Sequence, residues 1–203
     1  MAKSGNKNAV GFPPPLLGRK PLRLPILAET NEWIAVDKPV GIGTRAHPWD
    51  REPNLDTAFN VQLKAGKPEL IRGNATLFGS MFYLDPGISG VAIFAKNHHA
   101  LDNLRNSFGS EVCFFRFRFI APSQSISEKE YLECAAPLLP HKVKPKMIPS
   151  SAKGKKTFTR FERISESSKG WALWEARATF FRVQQVRAHA ALLGIPVMGD
   201  TLY

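Results

Sequence analysis

The sequence predicts an α+β protein built on a mainly antiparallel sheet. Three observations carry that expectation. Short apolar or alternating runs, each bounded by Gly, Pro, Asn or Asp, recur along the chain. Only three segments show helical spacing of apolar residues. And 203 residues at 43% hydrophobic content can fill one sizeable core, or two small lobes sharing a cleft. No internal repeat and no long linker forces a second domain, so residues 25–203 read as one domain.

The elements follow in order. Residues 1–24 hold Lys3, Lys7, Arg19, Lys20 and Arg23, no acid, and the run Pro13-Pro14-Pro15. They read as a flexible basic arm or a disordered tail, and they lack the apolar core of a secretory signal. Residues 26–36 read as two short strands turning at Thr30-Asn31-Glu32, and the following Asp37-Lys38-Pro39-Val40-Gly41 breaks the run. Residues 54–63 have helical spacing through Leu55, Ala58, Phe59 and Leu63. After a Gly-containing polar stretch, residues 81–84 form an apolar strand, Asp85-Pro86-Gly87 a turn, and residues 90–95 a second apolar strand. Asn97 can cap a helix over 97–108 whose face carries Leu101, Leu104 and Phe108. Residues 115–119 alternate strictly, with Phe115, Phe117 and Phe119 on one side and Arg116 and Arg118 on the other. That pattern belongs to a half-buried strand with a cationic outer face. Residues 141–160 form a basic loop with seven cations and no acid. Residues 158–164 and 171–179 make a hairpin in which Trp171 and Trp174 take opposite faces. The last helix spans 183–193 and ends at Gly194.

Charge points to a partner class. There are 28 Lys+Arg against 17 Asp+Glu, a net +11, which favours a polyanion because each phosphate neutralised releases condensed counterions. Cys113 and Cys134 form no Cys-x-x-Cys pair, and no His or carboxylate cluster stands at ligand spacing, so a metal site has no support. No apolar run approaches the roughly 20 residues that cross a bilayer. The expectation is a cytoplasmic protein with reduced thiols.

Several residues invite chemistry, each beside a plainer reading. Asp85 on a turn beside a core strand can be aimed rigidly as a nucleophile or base, although Asp before Pro-Gly is also an ordinary turn residue. Arg182 and Gln185, and likewise Gln184 and Arg187, are three apart at the start of the last helix, where a solvated basic face is the common case. His189 reads as a packing residue.

Four separated stretches then resemble, in order, the RluA-type RNA pseudouridine synthases. Residues 26–41, ending in Asp37-Lys38-Pro39-Val40-Gly41, are similar to the family's opening strand pair and its N/D-K-P-x-G. Phe82-Tyr83-Leu84-Asp85-Pro86-Gly87-Ile88-Ser89-Gly90 resembles H-R-L-D-R-x-T-S-G. The strand from Phe115 to Ile120 stands where the family carries K-x-Y-x-A. Residues 182–203 are similar to G-R-x-H-Q-I-R-x-H followed by L-G-x-P-x-x-G-D-x-x-Y. Any one is weak; four in order over residues 26–203 are a strong fold-level signal.

The resemblance implies a mixed, mostly antiparallel sheet with flanking helices and an active-site cleft. It also implies isomerisation of uridine to pseudouridine in structured RNA, ribosomal or transfer, with no cofactor and no metal, in a family that is commonly monomeric. By motif position Asp85 is the catalytic carboxylate and Arg187 the cation that keeps it ionised and oriented. Phe117 takes the place of the aromatic, usually tyrosine, that stacks on the target base. Tyr83, Arg182, Gln185, Arg116 and Arg118 complete the substrate-binding set, and the target uridine must leave its helix. The shell departs from the pattern: Phe82-Tyr83 replaces H-R, Pro86-Gly87-Ile88 replaces R-x-T, and Phe115 replaces the lysine of K-x-Y. The alternative is therefore a catalytically inactive RNA-binding protein of the same fold.

Overall fold

The computed structural model describes residues 8–50, 53–71, 74–110, 112–123 and 130–203. The chain divides into two compact units, Met1–Asn106 and Ser107–Tyr203. One domain was expected. The boundary falls at a short turn around Ser107, where Ser110 Oγ donates to the Ser107 carbonyl at 2.5 Å, and a turn of that length carries no linker composition to read.

In the first unit, β1 (Ala9–Phe12), β2 (Leu22–Glu29), β3 (Trp33–Lys38), β4 (Gly79–Ser80) and β5 (Gly90–Ala95) form a sheet in the order β1-β2-β3-β5-β4. Every pairing is antiparallel. β3 and β5 are internal, which explains their near-continuous apolar sequences. Thr30 Oγ1 accepts the Glu32 and Trp33 amides, each at 3.1 Å, and so closes the β2–β3 turn. Three helices accompany the sheet: α1 (Leu55–Lys64), α2 (Pro68–Ile71) and α3 (His98–Asn106). Asn54 caps α1 by accepting the Thr57 amide at 3.0 Å, and Asn97 does the same for the Ala100 amide at 2.8 Å. α1 buries Phe59 among Phe12, Phe78 and Phe94, with ring centroids 5.1, 4.9 and 4.8 Å away.

This core corrects the reading of residues 1–24 as an arm. Ala9–Phe12 pairs with β2, from Ala9 opposite Pro25 to Phe12 opposite Leu22, and Val10 and Phe12 are fully buried. Two apolar residues in alternation are too short a signal to stand out beside a proline run and five cations. The cations Lys3 and Lys7 lie outside the described residues. Residues 81–84 likewise lie outside the strand, which is Gly79–Ser80, and the Met81 amide donates to the Ile93 carbonyl at 2.9 Å.

The second unit holds β6 (Phe115–Pro122), β7 (Tyr131–Cys134), β8 (Leu138–Pro140), β9 (Met147–Pro149), β10 (Thr159–Ser167), β11 (Trp171–Ala178) and α4 (Gln185–Leu192). An antiparallel sheet runs β6-β11-β10-β7, and β8 and β9 form a separate hairpin. That hairpin occupies part of the stretch expected to be loop. On the inner face Phe119, Ala121, Phe161, Trp174 and Ala176 pack with Val186 and Ala190 of α4 and with Ile195. His189 is buried, its ring nitrogens 2.9 Å from Thr159 Oγ1 and 3.0 Å from the Ala136 carbonyl oxygen, as a packing histidine should be. Gly194, at φ 74°, ends α4 in the left-handed region that favours glycine. The α+β, antiparallel character stands, distributed over three sheets.

Candidate active site

In the first unit, the turn that carries Asp85 is clamped by the loop that follows β3. The Thr44 amide donates to the Leu84 carbonyl at 3.1 Å. The Thr44 hydroxyl donates to the Phe82 carbonyl and accepts the Leu84 amide, both at 2.9 Å. The Gly41 amide donates to the Pro86 carbonyl at 2.7 Å, and the Ile88 amide closes the turn on the Asp85 carbonyl at 3.1 Å. The loop is itself anchored by Lys38, fully buried, whose Nζ donates to the Ile42 carbonyl at 2.6 Å and the Pro39 carbonyl at 3.0 Å. The Asp-Lys-Pro-x-Gly stretch thus has a physical purpose: lysine and glycine fix the loop, and the loop fixes the aspartate.

Burial drags the Lys38 ammonium down to about 8, against the pull of the Asp85 and Asp50 carboxylates. Asp85 is itself buried, at the end of a segment whose Tyr83 is also buried. The Tyr83 hydroxyl bonds the Asp50 carboxylate, and its ring lies 4.6 Å from that of His47, which in turn meets Trp49 at 4.9 Å. Sequence reasoning missed Asp50 and His47 because nothing in their spacing ties them to residue 83. A second carboxyl, that of half-buried Asp56 on α1, accepts from the Ser80 amide at 2.7 Å and the Ser80 hydroxyl at 3.0 Å. Burial outweighs those bonds and raises it to about 6.

In the second unit, Arg187 projects from α4 to Asp200. Nε lies 2.5 Å from Oδ2 and Nη2 2.8 Å from Oδ1, a bidentate, charge-assisted pair. Asp200 Oδ1 also accepts the Leu202 amide at 2.8 Å and the Tyr203 amide at 3.3 Å. Burial opposes the charge on Asp200, yet the Arg187 bonds and those amides win and hold its carboxyl below the usual range. Asp200 was visible in the Gly-Asp-x-x-Tyr stretch, but no local pattern ties it to Arg187, 13 residues away.

Phe117 is half-buried on the inner face of β6, edge-on to Phe181 with centroids 5.1 Å apart. Arg116 and Arg118 point from the opposite face toward Glu175, at 3.9 and 3.1 Å. They therefore lie on the other side of the sheet from the aromatic ring. Arg182 precedes α4, and does not share a helical face with Gln185. Its amide donates to Gln185 Oε1 at 2.9 Å, and its guanidinium lies 5.0 Å from the Phe180 ring centroid. Gln185 is buried and committed: Nε2 donates to the Phe158 carbonyl and Thr159 Oγ1, each at 3.0 Å. That amide holds the chain in place, which corrects its expected contact with substrate. Among the described residues no three His, Cys, Asp or Glu side chains gather as a metal site would require.

No protein-family model matches the chain. Curated proteins do. An uncharacterised RNA pseudouridine synthase of Aquifex aeolicus is 26% identical over 193 residues, covering 94% of this chain and 60% of its own. The corresponding YhcT protein of Bacillus subtilis is 27% identical over 181 residues, covering 89% and 57%. The ribosomal large subunit pseudouridine synthase C of Rickettsia conorii is 26% identical over 183 residues, covering 88% and 55%. The chain thus spans less than two thirds of the length of these relatives. Among solved structures, human RNA pseudouridylate synthase domain containing 4 aligns with a TM-score of 0.65 at 18% identity, over 88% of this chain and 68% of that one. Human RNA pseudouridylate synthase domain containing 1 gives 0.57 at 15%, over 98% and 71%. These two show the fold.

Proposed function

Since the chain is a divergent relative of the RluA-type RNA pseudouridine synthases, we propose that it isomerises uridine to pseudouridine in ribosomal or transfer RNA, in the cytoplasm. The observation that carries the proposal is the clamp on the Asp85 turn. Backbone and hydroxyl bonds from Thr44 and Gly41, anchored by buried Lys38, hold one carboxylate with the rigidity a catalytic group needs.

In the reaction the N1–C1′ bond of uridine breaks and a C5–C1′ bond forms. C5 gives up its proton to solvent and N1 gains one, so the product is an isomer and no redox step is needed. Asp85 starts the exchange, by attack or by removing a ribose proton. By the resemblance, Arg187, held by Asp200, is the cation expected to keep that carboxylate ionised, and Phe117 is the ring expected to face the base. Tyr83 and Arg182 are the remaining substrate contacts, and the lysines of residues 141–160 take phosphates. A second reading, an RNA-binding relative without turnover, is favoured by one observation: at the family's cation position, Tyr83 is tied to the Asp50 carboxylate.

The test is release of tritium from transcripts of ribosomal and transfer RNA carrying uridine labelled at C5. Release to water with an equal yield of pseudouridine supports the synthase. Tight binding of the same transcripts with no release supports the second reading.

A further inference from the structure

The outer face of the four-stranded sheet in the second unit presents a pattern that the proposed reaction does not use. The strand registers set its rows. Arg116, Arg177, Arg160 and Glu133 stand side by side across β6, β11, β10 and β7, and Arg118, Glu175, Glu162 and Tyr131 form the row beside them. One step beyond the paired residues, with the same in–out alternation, come Phe114 before β6 and Phe158 before β10.

The exposures of the aromatic rings and of Glu175 are unusual. Phe114 is 62% exposed, Tyr131 60% and Phe158 47%, at positions where the adjoining Phe115 and Thr159 are buried. Arg116 and Arg118 expose 66% and 65% of their side chains, whereas Glu175 between them exposes 3%. Glu175 lies under the guanidiniums. Its carboxylate meets Arg118 Nε at 3.1 Å, Arg177 Nε at 2.7 Å and Arg116 Nε at 3.9 Å, while Arg177 also reaches Glu162 at 3.0 Å. Glu133 pairs with Arg160 at 2.9 Å, so the face sets Glu175, Glu162 and Glu133 against Arg116, Arg118, Arg177 and Arg160, one positive charge in excess. The buried Glu175 fixes the guanidinium forks in place at the surface.

We propose that this sheet face, on the opposite side from Phe117, is a docking platform for single-stranded RNA, with bases stacking on Phe114, Phe158 and Tyr131 and phosphates on the arginine row. The two residue types argue together. A purely structural salt-bridge ladder gives no reason to leave three large aromatic rings in water beside it, and the chain's net charge of +11 favours a polyanion as the occupant. Exposed aromatic rings interleaved with guanidiniums on an antiparallel sheet are what sequence-tolerant recognition of unpaired bases requires. A platform behind the active-site aromatic would grip RNA flanking the modified uridine. The inference rests on the RNA-modifying reading but is tested separately from it.

The experiment measures binding of a fluorescent 12-nucleotide oligouridylate to the full chain by anisotropy, between 50 and 300 mM salt. Phe114→Ala with Phe158→Ala is expected to weaken binding by roughly thirtyfold, the low end for two lost base stacks, without changing the salt slope. Arg116→Gln with Arg160→Gln is expected to flatten the slope by roughly 1.4, since single strands give about 0.7 per contact. Circular dichroism matching the parent protein shows that the variants fold. Parent-like affinity of the folded Phe variant overturns the inference, and so does failure of the parent to bind the oligonucleotide. Tritium release from full-length transcripts reads the synthase proposal independently. Release with parent-like binding of the Phe variant sinks the platform alone, and no release with Phe-dependent binding sinks the synthase alone.

Discussion

Replacing Asp200 by Ala tests how Arg187 is held. The substitution removes both legs of the bidentate pair, at 2.5 and 2.8 Å, and the acceptor of the Leu202 and Tyr203 amides. Breaking a fully buried pair by removing one partner costs about 3–5 kcal/mol. The side chain of Asp200 is almost completely buried, but that of Arg187 is 20% exposed and can turn to water. Screening therefore reduces the electrostatic part to about 2 kcal/mol. Two orphaned amides near the surface add about 1 kcal/mol, for about 3 kcal/mol in all. The assay is urea unfolding in a background with Trp33 and Trp49 changed to Phe, so that emission comes from Trp171 and Trp174 of the same unit. At a slope of about 2 kcal/mol/M the midpoint should fall by about 1.5 M. Asp200→Asn keeps an acceptor for the amides and should cost less. The electrostatic part of the parent's advantage over Asp200→Ala should be complete above the usual carboxylate range and vanish as pH falls through the lower folded-state value, because a carboxyl held ionised by folding loses that contribution when protonated. A loss below about 1 kcal/mol for Asp200→Ala, or an equal loss for Asp200→Asn, would refute the reasoning.

Three further outcomes follow from the first unit. Asp56, raised to about 6 by burial, binds its proton more tightly folded than unfolded, so its contribution falls as pH rises from about 4 to 6. Asp56→Asn keeps both bonds to Ser80, and unfolding at pH 7 should show a gain of about 1–2 kcal/mol and a flatter profile in that window; a loss would contradict the assigned cause. Lys38, lowered to about 8, binds its proton less tightly folded, so stability should rise as pH climbs from about 8 to 10.5, and Lys38→Met should remove that rise in pH-dependent unfolding. Asn54→Ala removes the cap of α1 and should cost about 1 kcal/mol in the same unfolding measurement.

Much of the architecture was legible because it rests on local signals. The alternation from Phe115 to Phe119 gave both the strand and its two faces, and Asn97 marked a helix start by its capping chemistry. β1 and the β8–β9 hairpin were not legible, since strands of three or four residues are fixed by their partners and carry little pattern of their own. The site divides in the same way. Asp85, Arg187 and Phe117 were proposed from motif position. The groups that hold them were hidden because their contacts are long-range: Thr44 reaches Leu84 across 40 residues, and Asp50 reaches Tyr83 across 33. Gln185 shows the opposite error, a polar residue at a motif position whose amide is used to satisfy buried backbone.

The central claim is that the Asp85 carboxylate does the chemistry, and the most direct measurement is C5-tritium release by Asp85→Asn beside its affinity for the same transcript. The account predicts that release falls to background while affinity stays within about threefold of the parent, because the isosteric amide keeps the turn and loses only the charge. Release by the Asn variant at a rate near the parent's would contradict it.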